Sequence, residues 1–158
     1  MLGQEIMAEF VTWEGAVFSR LREAVSSEPQ GPAAVIGVDW AGSSGSGDFT
    51  AFVVLSAQGH VLEIARLRGE PFVQQRARLK GLWERHQRPP ILAEENGMGA
   101  VQNAELRQAG LHVIDWITTN ASKTEIISKL VTAFEQGNIK IPTLVRGLCP
   151  ERVAPSGQ

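Results

Sequence analysis

Acidic residues stand at the ends of two segments that the sequence predicts to be strands. Asp39 follows the apolar run AAVIGV, which begins at residue 33, and Glu94 and Glu95 follow the run PILA, which begins at residue 90. Carboxylate oxygens without a neighbouring histidine or cysteine suit Mg²⁺ or Mn²⁺. Two such ions about 3.5–4 Å apart can activate a water molecule and stabilise the leaving oxygen in phosphodiester cleavage. We therefore consider a two-metal site in which Asp39 bridges both ions and one glutamate binds one of them.

The spacing leaves open which acids take part. Because side chains alternate along a strand, Glu94 and Glu95 point to opposite faces, and only one of them can join Asp39. Asp48 begins the second predicted strand after the loop GSSGSG; it could be a third ligand, although the composition favours a turn residue. As strand-end residues, all of these acids could instead cap the next element or face water.

The strands and helices that must position these acids are predicted from two hydrophobic patterns, one typical of strands and one typical of helices. β-branched and aromatic runs predict strands at residues 33–41, 48–56, 61–68, 90–96 and 111–119, with NIKIP (138–142) as one more short strand. Helical spacing predicts helices at residues 71–88, 97–110 and 122–137. Pro71 suits the first position of the first helix, and the sequence SKTE from Ser122 to Glu125 predicts a capping box before the last.

Three antiparallel strands followed by two strand–helix units predict a mixed α/β sheet. With right-handed crossovers the fourth strand lies parallel to the first, and the strand order is 3-2-1-4-5. This order brings the carboxyl ends of the first and fourth strands side by side, where open sheets usually bind ligands. We therefore expect Asp39 to lie close to one of the two glutamates.

The composition is that of one globular domain, with 158 residues and a net charge of −2. This charge excludes a bulk electrostatic attraction to nucleic acid but not a local one. Seven basic and two acidic residues lie between Arg66 and Arg88. We favour a solvated helix face for this segment; the alternative is a phosphate-binding patch that includes Arg76 and Lys80.

Several classes of protein are excluded by what the sequence lacks. It has no apolar run of about 18 residues and no secretory leader. Its single cysteine, Cys149, cannot form an internal disulfide or a Cys-based zinc site. We expect a cytosolic protein that does not enter a membrane.

Four segments, in the family's order, resemble the nuclease region of phage large terminases. The family's strand-end aspartate and its D-[FY]-T-A strand are similar to the segment VIGVDWAGSSGSGDFTAFVVL. Its second signature is an acid two residues before an asparagine, followed by a glycine-containing link into a helix, and this signature is similar to the segment ILAEENGMGAVQNAEL. ITTNASKTEIISKLVTAFEQGNIKIP resembles its later Thr/Ser-Lys helix, and QEIMAEFVTWEGAVF resembles the stretch between the motor ATPase and the nuclease. Together these segments cover most of residues 4–142.

This resemblance implies an RNase H-like fold and a metal-dependent endonuclease that cuts concatemeric double-stranded DNA during phage packaging. The implied cofactor is Mg²⁺ or Mn²⁺, with two ions in a complete site. The implied partners are DNA, an ATPase domain, a small terminase subunit and a portal, in the cytoplasm of the host cell.

The resemblance also assigns roles by position. Asp39 matches the first-strand metal ligand, and Glu94 matches the second acid because it stands two residues before Asn96. These two are the implied catalytic residues. Asp48 matches the acid that opens the second strand, and Lys123 matches a recurrent lysine near a phosphate at the start of the last helix.

The sequence departs from the family at two points. It has no GxxxxGK[ST] loop, so the motor half is absent. The family's third acidic motif, a His-Asp-Asp type sequence beyond the last strand, has no counterpart in TLVRGLCPERVAPSGQ, so the expected metal site lacks a carboxylate. We therefore expect a fragment or a split gene product, with residues 1–32 as the junction, 33–143 as the nuclease domain and 144–158 as an irregular tail.

Three alternative functions stay open at this point. The first is a non-catalytic remnant that binds DNA or packaging proteins, which the missing acid favours. The second is another RNase H-like nuclease, such as a junction resolvase or a transposase, because a fold does not determine a substrate. The third is an ATPase of the actin and sugar-kinase type, which shares the Asp-then-Gly opening but needs a second lobe and a second phosphate loop.

Overall fold

The secondary structure alternates as the hydrophobic pattern predicts. This computed structural model describes residues 18–25, 30–42 and 48–142. In chain order the elements are α1 (Leu21–Ala24), β1 (Ala33–Asp39), β2 (Phe49–Ser56), β3 (Val61–Arg68), α2 (Phe72–Arg85), β4 (Ile91–Glu94), α3 (Gly99–Gln108), β5 (Val113–Trp116) and α4 (Asn120–Glu135).

The five strands form one mixed sheet in the order β3-β2-β1-β4-β5. β1 pairs antiparallel with β2, and β2 pairs antiparallel with β3. On its other side β1 pairs parallel with β4, and β4 pairs parallel with β5. The predicted mixed α/β class and strand order are therefore confirmed.

The hydrophobic core lies on one face of this sheet. Ile36 of β1 and Phe52 of β2 are fully buried on that face, where α2 contributes Leu79 and α3 contributes Leu106. Each such side chain stabilises the fold by about 1.5–3 kcal/mol when it leaves water. Because side chains alternate along a strand, Asp39 belongs to the opposite face of the sheet, away from α2 and α3.

The short segment that contains α1 packs near the end of α4. The rings of Phe18 and Phe134 lie 5.4 Å apart between centroids, and Val25 forms an isolated parallel bridge with Ile141. The Arg20 guanidinium donates a hydrogen bond of 2.9 Å to the carbonyl oxygen of Glu135. The other residues of the expected junction and the tail, 1–17, 26–29 and 143–158, lie outside the described residues.

The capping box of α4 begins three residues earlier than the sequence predicts. Thr119, and not Ser122, is the N-cap: the Thr119 hydroxyl accepts a 3.1 Å hydrogen bond from the Ser122 N–H. The Ser122 hydroxyl accepts a 2.8 Å hydrogen bond from the Thr119 N–H in return. Since serine can serve either as a cap or as the reciprocal partner of one, the sequence alone favoured the wrong member of the pair.

Several elements are shorter than their hydrophobic runs. β1 ends at Asp39, and α2 begins at Phe72 with Pro71 as its N-cap. NIKIP does not form a strand, because Lys140 and Ile141 make only isolated bridges with His60 and Val25.

Candidate functional site

Asp39 and Glu94 lie next to each other at the carboxyl ends of β1 and β4. Val38 is paired with Ala93 in the parallel ladder, so the next residues, Asp39 and Glu94, follow side by side on the same face. They are close enough that, in addition to burial, the side-chain hydrogen bond and the charge of Glu94 raise the pKa of the Asp39 carboxyl. The sheet order thus brings together the two acids that the sequence places at separate strand ends.

The electrostatics of this acid pair favour a proton on Asp39. Burial raises the pKa of the Asp39 carboxyl above its ordinary value, and the hydrogen bond to Glu94 and the negative charge of Glu94 raise it further. The charge of Asp48 raises the same pKa, whereas the positive charge of Lys123 lowers it. When both acids of the pair are ionised, they repel each other, so the metal-free site retains a proton to a higher pH.

Asp48 acts on the pair through its charge. Within residues 18–25, 30–42 and 48–142, no three His, Cys, Asp or Glu side chains are grouped so that they could hold a metal ion. The described part of the site is therefore a pair of carboxylates, and the role of Asp48 as a third ligand stays a prediction.

Asn96 holds the Glu94 side chain from the loop after β4. Its side-chain amide donates a 3.2 Å hydrogen bond to Glu94 Oε1 and a 2.8 Å hydrogen bond to the carbonyl oxygen of Thr118, after β5. The amide therefore links the carboxylate to the next strand end. Because an amide N–H can only donate, Asn96 can orient the Glu94 side chain through the accepting oxygen Oε1.

Asn103 of α3 connects three strand ends from below the acid pair. It is fully buried, and its Oδ1 accepts a 2.9 Å hydrogen bond from the indole N–H of Trp40, the residue after Asp39. Its Nδ2 donates to the carbonyl oxygen of Glu94 at 3.3 Å and to Asp115 Oδ1 at 2.9 Å. The Asn103 amide thus holds the backbone of Glu94 and the side chain of Trp40, which follows Asp39.

Asp115 takes part in this support and not in the acid pair. It is paired with Ala93 in the β4–β5 register, so its side chain lies on the face that α3 covers. There it forms an ion pair with Arg107 and accepts the hydrogen bond from Asn103, and both interactions lower its pKa, although burial opposes them. It is therefore not a third acid beside Asp39 and Glu94.

Gly99 lets α3 begin directly against the end of β4. A Cβ atom on Gly99 would lie 2.1 Å from the carbonyl oxygen of Glu94 and 3.3 Å from Cδ1 of Trp40. No side chain larger than hydrogen can occupy that space without a shift of the backbone. The glycine therefore sets how closely the Asn103 amide approaches the site.

Sequence reasoning missed Asn103 and Gly99 as supports of the site. The signal was a polar residue on the buried face of α3, since Asn103 stands three residues before the core residue Leu106. A fully buried amide at such a position must have hydrogen-bond partners, and here the partners are the strand ends.

The predicted phosphate-binding residues fall into two groups. Lys123, in the first turn of α4, is exposed and lies close enough to Asp39 for its charge to act on that carboxyl. Arg76 and Lys80 lie on α2, which covers the opposite face of the sheet, and the Arg76 guanidinium donates a hydrogen bond to Gln102 of α3. The structure therefore brings only Lys123 together with the acid pair.

The comparison with known protein families agrees with this arrangement. Residues 36–146, well over half of the chain, match the family described as the terminase RNaseH-like domain. This chain belongs to that family. The terminase domain also resembles the large terminase subunit of Thermus virus P23-45, with 28% identity over 154 residues and 88% of this chain covered. It spans 31% of that relative's length.

Solved structures of other terminase nucleases share the fold of this terminase domain. The large terminase nuclease of the thermophilic phage G20c with bound magnesium gives a TM-score of 0.70 at 23% identity, covering 84% of this chain and 76% of that one. The same nuclease with bound zinc gives 0.68 at 24% identity, covering 82% of each chain. The nuclease domain of Thermus phage P74-26 gives 0.61 at 24% identity, covering 76% of this chain and 62% of that one. The predicted RNase H-like fold is therefore confirmed.

The helices of this chain were compared in length and polarity with the thickness of a bilayer. Within the part of the chain that the structure describes, every helix is too short or too polar to cross a bilayer.

Proposed function

We propose that this terminase domain is a divalent-metal-dependent endonuclease that cuts double-stranded DNA, with Asp39 and Glu94 as its catalytic metal ligands. The observation that carries the proposal is the β1–β4 register, which places these two carboxylic acids side by side on one face at adjacent strand ends. Membership of the terminase family supports DNA as the substrate. The metals named for the G20c nuclease structures support a divalent ion as the cofactor.

The donor set suits Mg²⁺ or Mn²⁺. Both acids supply oxygen ligands. Burial is the main cause of the raised pKa of Asp39, and the negative charges of Glu94 and Asp48, which also raise it, are charges that a cation would relieve. When bound, divalent ions would supply Lewis-acid activation of water and stabilisation of the leaving oxygen. The third carboxylate of a complete two-ion site is either Asp48 or an acid outside the described residues.

The residues around the pair perform the positioning that such cleavage needs. Asn96 holds the Glu94 carboxylate through its hydrogen bond to Oε1. Lys123 places a positive charge beside the acids, where it can orient a phosphate of the substrate. Asn103 and Trp40 keep the two strand ends at a constant separation from beneath. A rigid support of this kind keeps reacting groups in a productive geometry.

The test is nicking of supercoiled plasmid DNA in Mg²⁺ or Mn²⁺. We expect Asp39→Asn and Glu94→Gln each to lower the nicking rate at least about 100-fold, the scale on which loss of one transition-state contact acts. The matched control is Glu95→Gln, which removes the adjacent negative charge; Glu95 does not contribute to the pKa of Asp39, so nicking is retained. Equal loss of activity in all three variants would contradict the assignment of the pair.

The same assay separates the proposal from a non-cutting remnant. Absence of nicking with either metal, together with DNA binding that Asp39→Asn leaves unchanged, would establish a binding function in place of cleavage. A remnant is favoured by the absence of a three-acid cluster in the described residues. We propose the nuclease first, since a remnant does not require two acids placed side by side at adjacent strand ends.

We extend the proposal to the surroundings of the larger protein. The large terminase of Thermus virus P23-45 is much longer than this chain, which supports an ATPase domain as the covalent or assembled partner. A small terminase subunit, a portal and the cytoplasm of the host cell complete the proposed setting.

A further inference from the structure

The face of the sheet that carries the acid pair also carries two arginines of β3. Asp39 is paired with Ala51 of β2, and Ala51 is paired with Arg66 of β3. Directly opposite residues point to the same face, so Asp39, Ala51 and Arg66 form one row across the sheet. Arg68 is on the same face two residues further on, opposite Phe49.

Phe49 holds both guanidinium groups. The Arg66 Cζ atom lies 3.9 Å from the centre of the Phe49 ring, and the Arg68 Cζ atom lies 5.5 Å from it. The ring itself is 37% exposed. Stacking on an aromatic face fixes the orientation of a guanidinium while its N–H donors remain free for another partner.

These arginines differ from others in the basic segment. Arg78 pairs with Glu70, Arg85 pairs with Glu63, and Arg76 bonds to Gln102. Among the described residues, the side chains of Arg66 and Arg68 form no ion pair or hydrogen bond, and both residues are exposed. Their charge is therefore available to an anion from outside the chain.

The distance from the acid pair matches DNA. Two steps between neighbouring strands, about 4.8 Å each, separate β1 from β3 by about 10 Å. One DNA strand carries a phosphate at every ~3.4 Å of helix rise. A strand that lies along the row therefore brings a phosphate two or three nucleotides from the acid pair over Arg66.

We propose that Arg66 and Arg68, stacked on Phe49, form a phosphate-binding platform that positions the DNA backbone beside the Asp39–Glu94 pair. This inference rests on the proposed function, because it takes DNA as the substrate. The platform and Lys123 place positive charge on two sides of an acidic site that would otherwise repel phosphates. Arginine suits this role because its planar donors can bind a phosphate bidentately.

The test measures binding of a fluorescent double-stranded oligonucleotide by anisotropy, without divalent metal, over a range of KCl concentrations. The double variant Arg66→Gln/Arg68→Gln is expected to reduce the slope of log K against log salt by about 1.8, because each phosphate contact contributes about 0.9. The matched control, Arg78→Gln/Arg85→Gln, removes the same charge from exposed arginines that are already paired, and the slope is expected to change by less than about half a unit.

Phe49→Leu is a second variant that keeps the net charge. It is expected to weaken binding several-fold with an unchanged salt slope, since the arginines remain but lose their orientation. The variants are compared only at equal helix content by circular dichroism. If the double variant does not fold, the Phe49→Leu result decides, and binding equal to wild type overturns the platform.

The remaining outcomes are also decisive. A slope equal to wild type in Arg66→Gln/Arg68→Gln, equal losses in the control pair, or no salt-sensitive binding by wild type overturns the platform. A chain that binds through these arginines but never nicks DNA retains the platform and refutes the proposed nuclease. If wild type and the double arginine variant nick DNA equally well, the nuclease is supported and the platform is refuted.

Discussion

Replacing Gly99 by alanine is expected to separate α3 from the end of β4. The new Cβ would lie 2.1 Å from the carbonyl oxygen of Glu94, whereas non-bonded contacts of this type normally begin near about 3.4 Å. The backbone must therefore open by about 1 Å, because the obstructing atom belongs to a strand and not to a flexible side chain. Overpacking of this kind costs about 1–3 kcal/mol.

Gly81→Ala is the matched control. Gly81 lies inside α2, and a Cβ there would meet nothing within 4 Å. Alanine at an open helical position is expected to stabilise the protein by about 0.5–1 kcal/mol, because it reduces the entropy that the chain loses on folding. The same substitution in two helices is therefore expected to change stability in opposite directions.

Urea denaturation followed by circular dichroism measures both effects. We expect the midpoint to fall for Gly99→Ala and to rise for Gly81→Ala, with an unchanged m-value. The shift in α3 should also move the Asn103 amide away from Glu94 and Trp40, so nicking by Gly99→Ala should decrease even where the variant is fully folded. Equal stabilisation by both alanines would refute the reasoning on the close approach.

Four other substitutions test the acid pair and the elements around it. Asn103→Leu leaves the Trp40 indole N–H and the Asp115 carboxylate without their buried partner. It is therefore expected to lower the free energy of unfolding, measured by urea denaturation, by about 1–3 kcal/mol. A loss below ~0.5 kcal/mol would contradict the linking role of Asn103. The pKa of Asp39 is raised in the folded state, so the contribution of this residue to the stability of the metal-free protein is lost as pH rises through that pKa. The stability of Asp39→Asn relative to wild type should therefore increase with pH above ~4. A pH-independent difference would contradict the repulsion between Asp39 and its acidic neighbours. Thr119→Ala removes the N-cap of α4 and is expected to lower the free energy of unfolding by about 1 kcal/mol. Ser122→Ala is expected to lower it by less, and a larger loss for Ser122→Ala than for Thr119→Ala would contradict the assignment of Thr119 as the cap.

The fold was predictable from the sequence because its signals are local. The alternating and continuous apolar runs from residue 33 to Trp116 each specify a strand, and the intervening helical periods specify crossovers of one hand. These rules were sufficient for the order β3-β2-β1-β4-β5. They were not sufficient for the ends of elements, where Thr119 and Ser122 could each act as the cap.

The candidate site was predictable only in part. Asp39 and Glu94 could be named because each stands at a strand end, and the structure places them side by side on one face. The basic segment could not be resolved in the same way, because a run of arginines does not reveal which are already paired. Arg78 is bound to Glu70, whereas the Arg66 side chain stacks on Phe49 and forms no ion pair within the described residues.

By itself, the sequence determined the types and order of the elements, and therefore which acids lie at the ends of β1 and β4. Only the tertiary structure decided that Glu94 lies beside Asp39, that Asn103 joins the strand ends, and that two arginines of β3 share the face of the acid pair. Hydrophobic period and chain handedness act over a few neighbouring residues and can be read directly. Hydrogen bonds, repulsion and burial at the site depend on the register between segments that are distant along the chain, so they appear only when the sheet is assembled.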